Sequence, residues 1–204
     1  MGLGPIELKN LQEIDEYQSL GKNCAILGDC IFWYDGGSKE DFKNKFGFER
    51  VDTFDILGNP SYRVDLNEPL HEDFRFKYDC VIDGGTLYSM FDVAMGFKNI
   101  LHLLKPNGVV WHESSLAGHF GRGFYCLSPS LFNEFYSQNG FEVIRMAYKI
   151  KRQNPERWVD IQIGDDMLGS GFGGDTSLLC CAKRLEVIDF KKPVPQHYID
   201  TNGK

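Results

Sequence analysis

The chain has 204 residues, of which 42% are hydrophobic and 25% are charged, and its formal net charge is −7. This length predicts one domain with a sizeable core, and the negative charge argues against a nucleic-acid partner, which would need a basic surface. No run of about 18 apolar residues occurs, so we expect no membrane span. The acidic N-terminal stretch lacks the apolar centre of a signal peptide, and we therefore expect a cytoplasmic protein.

The chain opens with a predicted helix and a predicted strand. Residues 6–19 have the pattern of a polar helix with a thin apolar side. Residues 24–27 form a short apolar run that is typical of a buried strand. Gly28 and Asp29 follow directly and mark the end of that strand.

A second helix and two further strands follow. The helix is predicted over 38–46, because Ser38 suits an N-cap and Gly47 suits a helix end. Strands are predicted over 51–55 and 62–66.

The stretch from Tyr78 to Glu113 has the pattern of a strand, a helix and a second strand. An apolar run over 80–82 predicts the first strand, and Asp83 begins the tight loop that closes it. The second strand is predicted over 109–113. Such a unit places its two strands parallel, and ligands bind beyond the carboxyl ends of parallel strands.

The helix of this unit is predicted from its cap and its apolar stripe. Ser89 and Asp92 have the spacing of a capping box. Apolar residues then recur at helical spacing, and Pro106 to Gly108 predict the end of the helix.

The last third of the chain predicts one helix and three strands. A loop is expected over 114–129, and the helix begins at Ser128-Pro129 and ends at Asn139-Gly140. The strands are expected over 141–150, 158–163 and 177–185. The alternation of strands and helices, with a strand pair at the end, predicts an α/β three-layer sandwich with a C-terminal antiparallel hairpin. We expect one domain over 1–204, with an N-terminal helix within 1–20, a core over 23–185 and a tail over 186–204.

The six cysteines form no C-x-x-C pair, and most lie in or beside apolar runs. We therefore expect reduced, mostly buried thiols and no metal site. Residues 169–174 match G-x-G-x-x-G, but a dinucleotide fingerprint must follow a strand and open a helix. These glycines precede a strand, so we interpret the stretch 165–176 as a mobile loop that folds over a site.

Four aspartates each close a predicted parallel strand: Asp29, Asp55, Asp65 and Asp83. Each alone suits a surface turn, but four in succession at one edge of a sheet indicate a site. An edge lined with carboxylates repels phosphates and suits a ligand that carries hydroxyls, amines and a positive centre.

These features resemble the class I S-adenosylmethionine-dependent methyltransferases, over about residues 23–185. The segments that carry the resemblance are YDCVIDGGT, the helix leading into LLKPNGVVWHE, and NGFEV. DLNEPL, DGGTL and GHFGRGFYCLSPSLF are similar to a bacterial subgroup of small methyltransferases often linked to glycan or small-molecule modification. The resemblance implies a Rossmann-like, seven-stranded, mostly parallel sheet and S-adenosylmethionine as cofactor.

The resemblance also assigns residues to the cofactor. Gly28 and Asp29 would face its methionine end, Asp55 would bind the ribose hydroxyls, and Asp65 with the backbone of Leu66 would bind adenine. The strand-four loop would lie beside the methionine moiety; it is formed by Asp83, Gly84 and Gly85.

The loop after strand five would form the substrate wall. His119 is the predicted general base for an oxygen acceptor, with Glu113 as the next candidate. Arg122 and Tyr125 are predicted to hold the acceptor, and His112 to be structural. We thus expect O-methylation of a small-molecule or sugar-type acceptor; the sequence leaves the oligomeric state open.

The sequence departs from the family pattern in two places. ILGDCIFWYDGG has one glycine at the first turn and a pair eight residues later, and Tyr88 and Ser89 stand where the subgroup often has glutamate and histidine. Both departures favour an alternative, a methyltransferase fold that binds without catalysing, whereas the retained Asp55 and Asp65 oppose it. A nicotinamide-dependent oxidoreductase is a weaker alternative, because no glycine fingerprint follows the first strand.

Overall fold

The computed structural model describes residues 2–161, 174–196 and 198. Its helices are α1 (Pro5–Tyr17), α2 (Lys39–Phe46), α3 (Val93–Leu103) and α4 (Pro129–Gln138). Its strands are β1 (Gly2–Leu3), β2 (Asn23–Leu27), β3 (Ile31–Phe32), β4 (Arg50–Asp55), β5 (Tyr62–Arg63), β6 (Tyr78–Asp83), β7 (Leu104–Ala117), β8 (Phe141–Ile150), β9 (Val159–Asp160) and β10 (Thr176–Arg184).

Within these residues, a sheet of eight strands runs in the spatial order β5-β4-β2-β6-β7-β10-β8-β9. The first five of these strands are mutually parallel, and the last three pair antiparallel. The predicted α/β fold with a C-terminal antiparallel hairpin is confirmed. The strand count of seven, which the resemblance implies, is one too low for this sheet, because the strand predicted over 158–163 is present as the short β9 and pairs beyond β8. A separate parallel pair, β1 with β3, was not predicted.

Alternate residues of the central strands pack into opposite layers. Ile26 of β2 packs with the apolar sides of α1 and α2, which include Leu11 and Phe42. Its neighbour Leu27 packs with α3 and α4, whose buried residues include Phe97 and Phe132. The sheet therefore has a helix layer on each face, as the alternation of elements predicted.

The structure corrects both ends of the predicted helix after Asp83: α3 ends at Leu103, and Pro106 to Gly108 belong to β7. The N-cap is Asp92, whose side chain accepts from the Met95 N–H at 2.9 Å, and Ser89 lies in a short 3-10 turn before it. Two acceptor residues three positions apart fit the same capping pattern, so spacing alone could not choose between them. The following strand β7 continues to Ala117, so the first residues of the predicted 114–129 loop are part of the sheet.

Other predictions have mixed outcomes. All six cysteines are free, and four are buried in strands: Cys24, Cys80, Cys180 and Cys181. Residues 165–173 of the predicted loop 165–176 lie outside the described residues, as does most of the 169–174 glycine match. No helix in the described ranges has the length and apolar character that crossing a membrane requires.

Candidate functional site

The four predicted strand-end aspartates lie at one edge of the sheet. Asp29 and Asp65 follow β2 and β5, and Asp55 and Asp83 are the last residues of β4 and β6. Because these strands are parallel, their carboxyl ends share one edge. The predicted common edge is therefore confirmed, although the four carboxylates have different surroundings.

Asp29 and Asp55 are joined through the backbone. The Asp29 N–H donates to Asp55 Oδ2 at 2.6 Å, and the Leu57 N–H donates to Asp55 Oδ1 at 3.0 Å. Asp29 Oδ2 in turn accepts from the Asn59 N–H at 2.9 Å. A carboxylate oxygen has two lone pairs, so Asp55 keeps acceptor capacity for a ligand while its orientation is held.

Asp65 lies on an exposed turn next to a tightly held loop. Its Oδ1 accepts from the Asn67 backbone N–H at 2.9 Å and from the Asn67 side chain at 2.8 Å, and these bonds lower the pKa of Asp65. Asn99 of α3 is buried and donates to the Leu66 carbonyl at 2.9 Å, while its Oδ1 accepts from the Leu70 N–H at 3.0 Å. The helix layer therefore fixes the backbone around Leu66.

A cavity of about 560 Å³ opens beyond the ends of β6 and β7. It brings together five residues predicted from the sequence: Gly84, Gly85, Glu113, His119 and Arg122. Its other lining residues are Gly2, Gly4, Glu7, Ile31, Trp33, Tyr88, Ser89, Ser114, Lys149, Lys151, Glu156 and Ser177. Its volume is within the range of small-molecule sites.

Seven predicted residues do not line this cavity, and one of them is Asp83. Gly28, Asp29, Asp55, Asp65 and Leu66 lie along the strand ends to one side of it. Tyr125 lines a different, apolar hollow of about 290 Å³ beside α3 and α4, where its hydroxyl donates to the Phe91 carbonyl at 3.0 Å.

Glu113 is buried in the cavity wall beside two lysines. Its Oε1 lies 3.3 Å from Lys149 Nζ and 3.7 Å from Lys151 Nζ, yet makes no hydrogen bond of good geometry. Burial raises the pKa of Glu113, and Lys151 acts in the opposite direction. Glu113 is therefore a buried acid with an oxygen available to a ligand.

Lys149 of β8 is the centre of a charge cluster. Its Nζ is ion-paired with Glu7 of α1 and lies 3.8 Å from Glu156, in addition to Glu113. Burial lowers the pKa of Lys149 to about 8, although Glu156 opposes this. The cluster ties the N-terminal helix to the sheet at the cavity wall.

His119 is buried in the cavity wall with both ring nitrogens unbonded. Its backbone is held in a left-handed conformation, with φ 55°, and its N–H donates to Asp175 Oδ1 at 2.9 Å. Gly118 and Gly121 on either side also have positive φ, which glycine adopts without strain. Burial lowers the pKa of His119, so its ring favours the neutral form that can accept a proton.

Asp83 lies beneath the glycine loop rather than in the cavity. Its Oδ1 accepts from the backbone N–H groups of Gly85, Thr86 and Leu87 at 3.2, 2.6 and 3.2 Å. Its Oδ2 is bonded to His112 Nδ1 at 2.9 Å. Asp83 is fully buried, so its side chain is placed to hold the loop that carries Gly84, not to contact a ligand.

The long segment between Gly28 and the later glycine pair, which departs from the family pattern, contains a strand. The residues between Gly28 and the later glycine pair include β3, which pairs with the N-terminal strand β1. Gly2 lies so close to the Trp33 indole that a Cβ there would overlap it. The N-terminal arm therefore packs on the long first loop, and both reach the cavity.

Sequence reasoning missed several cavity residues, and the missed signals differ. Lys149 is a charged residue within the predicted strand 141–150, but Glu142 and Arg145 are charged as well, so Lys149 was only a weak signal of a site. Glu7 gave no comparable signal, because an acid in the first turn of a helix is common. Ser177 reaches the cavity only through strand pairing, which a single sequence does not reveal.

Comparison with known structures gives the fold family. No family model and no curated protein matches the chain. The 1,6-didemethyltoxoflavin-N1-methyltransferase of Burkholderia thailandensis, crystallised with bound 1,6-didemethyltoxoflavin and S-adenosylhomocysteine, is similar with TM-score 0.58 and 12% identity, over 86% of this chain and 76% of that one.

Two further structures agree. An S-adenosylmethionine-dependent methyltransferase from Archaeoglobus fulgidus has TM-score 0.58 and 11% identity, over 87% of this chain and 92% of that one. The N-methyltransferase NodS of Bradyrhizobium japonicum, crystallised with S-adenosylhomocysteine, has TM-score 0.53 and 12% identity, over 90% of this chain and 89% of that one. The chain has the fold of these methyltransferases.

Proposed function

We propose that this protein is a cytoplasmic S-adenosylmethionine-dependent methyltransferase that methylates a hydroxyl oxygen of a small-molecule or sugar-type acceptor. The observation that carries the proposal is the buried imidazole of His119, whose ring nitrogens are unbonded, in a cavity beside the strand ends of a sheet that has the methyltransferase fold. The N-methyltransferases among the similar structures support methyl transfer, and the neutral histidine favours oxygen in this chain.

The residues present fit the cofactor. Asp55 has oriented oxygens with acceptor capacity for the ribose hydroxyls, and Asp65 with the Leu66 backbone would hold adenine. Gly84 and Gly85 would lie along the methionine moiety at the cavity floor. When bound, S-adenosylmethionine supplies a methyl group on a positively charged sulfur, and S-adenosylhomocysteine is left after transfer.

His119 would take the proton of the acceptor hydroxyl as that oxygen is methylated. A neutral imidazole suits this role, because it can accept that proton near neutral pH. The cavity wall would hold the acceptor in place, and such positioning of reacting groups contributes up to about 7–11 kcal/mol to lowering a barrier. Arg122 at the cavity mouth would contact the outer part of the acceptor.

Calorimetry tests this proposal directly. The protein should bind S-adenosylmethionine and S-adenosylhomocysteine and should not bind NAD. Asp55→Ala should weaken cofactor binding by about 1.5–3 kcal/mol, the range for hydrogen bonds to a charged group. Asp73→Ala, at an exposed carboxylate away from the cavity, is the matched control and should leave affinity unchanged.

Two results would contradict the proposal. Absence of binding to either sulfur compound would remove the cofactor assignment, and unchanged affinity in Asp55→Ala would remove Asp55 from the ribose site. Binding without turnover on any acceptor would instead favour the non-catalytic module, for which the β1–β3 pairing across the first loop is the supporting observation.

A further inference from the structure

Five buried side-chain atoms around the same cavity make no hydrogen bond of good geometry, although Glu113 lies beside Lys149, Lys151 and the Ser177 hydroxyl. They are Glu113 Oε1, Ser114 Oγ, Ser177 Oγ and both ring nitrogens of His119. The exposed fraction is 7% for Glu113, 1% for Ser114, 1% for Ser177 and 5% for His119. Buried polar groups in proteins are nearly always bonded, so a cluster of unbonded ones in one cavity wall indicates a polar ligand.

Rigid elements hold these four residues together. Glu113 and Ser114 are consecutive in β7, and Ser177 belongs to the neighbouring strand β10, where it pairs with Ser115. His119 follows β7 directly, and its N–H bond to Asp175 ties it to the residue just before β10. The set is thus built into the sheet, which keeps the polar atoms in place before a ligand arrives.

The hydrogen-bonding capacity of the set identifies the ligand chemistry. Each serine hydroxyl can donate and accept, a neutral histidine has one donor and one acceptor, and an ionised Glu113 oxygen only accepts. A ligand that offers only donors, such as an ammonium group, would leave the protein donors unpaired. A carboxylate would leave Glu113 and one histidine nitrogen unpaired, whereas hydroxyl groups complement both kinds of atom.

The charges of the cavity favour a neutral ligand. Lys149 already faces Glu7 and Glu113, and Lys151 also faces Glu113. An anion bound beside these lysines would have to compete with buried carboxylates.

We propose that Glu113, Ser114, Ser177 and His119 form a subsite for two or more hydroxyl groups of a neutral polyol acceptor, such as a sugar ring. The inference rests on the proposed function and deepens it, since the hydroxyl that faces His119 is the one that is methylated. A flat apolar acceptor would bury the five polar atoms without partners.

Ligand-detected NMR on the full chain saturated with S-adenosylhomocysteine tests the subsite. Glucose, galactose, the diamine putrescine and 4-hydroxybenzoate serve as probes for the neutral polyol, amine and carboxylate classes. At least one hexose should bind, and Ser114→Ala and Ser177→Ala should each weaken it about five- to tenfold. Ser137→Ala, on the exposed side of α4, is the matched control and should change nothing.

The outcomes separate the two proposals. If S-adenosylhomocysteine itself does not bind, the proposed function fails. If it binds but no hexose does, or if putrescine or 4-hydroxybenzoate binds in preference, the polyol inference is wrong while the methyltransferase proposal stands. Hexose binding that is unaffected by both cavity serine substitutions, in variants with wild-type melting temperatures, would also overturn the subsite.

Discussion

Two neighbouring residues of β7 belong to two different polar groups. His112 faces the layer of α3 and α4, where its ring is bonded to Asp83 at 2.9 Å and to the Tyr136 hydroxyl at 2.6 Å. Glu113 faces the cavity with His119. Glu113 Oε1 and both ring nitrogens of His119 make no hydrogen bond of good geometry. The same residue types, an acid and a histidine, thus occur once as a closed network and once as an open set.

The difference lies in which bonds are already made within the protein. In the closed network, Asp83 Oδ1 accepts from three backbone N–H groups and Oδ2 from His112, so the acid is satisfied by the fold. In the open set, His119 is buried almost as completely, but neither of its ring nitrogens has a hydrogen-bond partner. Burial alone therefore does not separate the two histidines, whereas the hydrogen bonds of their rings do.

Removing the open histidine should change catalysis and leave stability nearly unchanged. His119→Ala should lower turnover about 10²–10⁴-fold, the range for general-base catalysis, while cofactor affinity and the urea midpoint stay at wild-type values. The wild-type rate should fall as pH drops below the His119 pKa, which burial holds below the ordinary value of 6.5. Steady-state rates from pH 5 to 8 measure both effects.

The control for this variant is His71→Ala, at a histidine exposed far from the cavity. Full activity in His119→Ala would mean that Glu113 is the base or that the acceptor needs none.

Removing the closed network's acid should have the opposite pattern. Asp83→Ala leaves His112 and three loop N–H groups without their acceptor, and breaking a buried pair in this way costs about 3–5 kcal/mol. Urea unfolding should therefore show a large loss in Asp83→Ala and almost none in His119→Ala. A loss below about 1 kcal/mol would mean that the network is not what holds the loop carrying Gly84 and Gly85.

Lys149 belongs to neither group alone, because it is bonded to Glu7 yet lies beside the open Glu113 oxygen. Lys149→Met leaves two buried carboxylates with less positive charge, and we expect a loss of about 2–3 kcal/mol at pH 7. Burial raises the pKa of Glu113 in the folded protein, so folding favours its protonated form. The loss of unfolding free energy in Lys149→Met, relative to the wild type, should therefore shrink as pH falls from 7 to 5.

Urea unfolding at the two pH values measures this change, with Lys149→Arg as the variant that keeps the charge. A deficit in Lys149→Met that is equal at pH 7 and pH 5 would show that lost packing, not charge, explains the effect.

The sequence predicted the helices and strands around this site well. Apolar runs and caps are local features, so α2 was predicted to begin after Ser38 and end before Gly47, and β8 to span 141–150, as observed. Parallel pairing then follows from chain order, which is why the aspartates were expected at one edge and are found there.

The contents of the cavity could not be predicted in the same way. Glu7 and Lys149 meet across 142 positions of the chain, and no local pattern encodes such a pairing. Asp83 was assigned to the cofactor by the family resemblance, but its side chain turns inward toward His112. Direction at a strand end depends on the neighbouring strand, which local spacing does not specify.

Asp65 has one carboxylate oxygen that is bonded within the protein and one that is open to a ligand. It therefore tests the comparison between the closed network and the open set with the smallest expected effect. Its Oδ1 is occupied by Asn67, and Asp65→Asn can keep that acceptor while losing the charge. If the carboxylate accepts from the adenine amino group, the substitution should weaken S-adenosylhomocysteine binding by about 0.5–1.5 kcal/mol, the net value of one hydrogen bond. S-inosylhomocysteine, which carries a carbonyl in place of the amino group, can accept from the new amide. Calorimetry with both ligands should therefore show a narrower preference for the adenosyl compound in Asp65→Asn than in the wild type. An unchanged ratio in a stably folded variant would mean that Asp65 serves only to shape the turn, and that adenine recognition depends on the Leu66 backbone, which Asn99 holds in place.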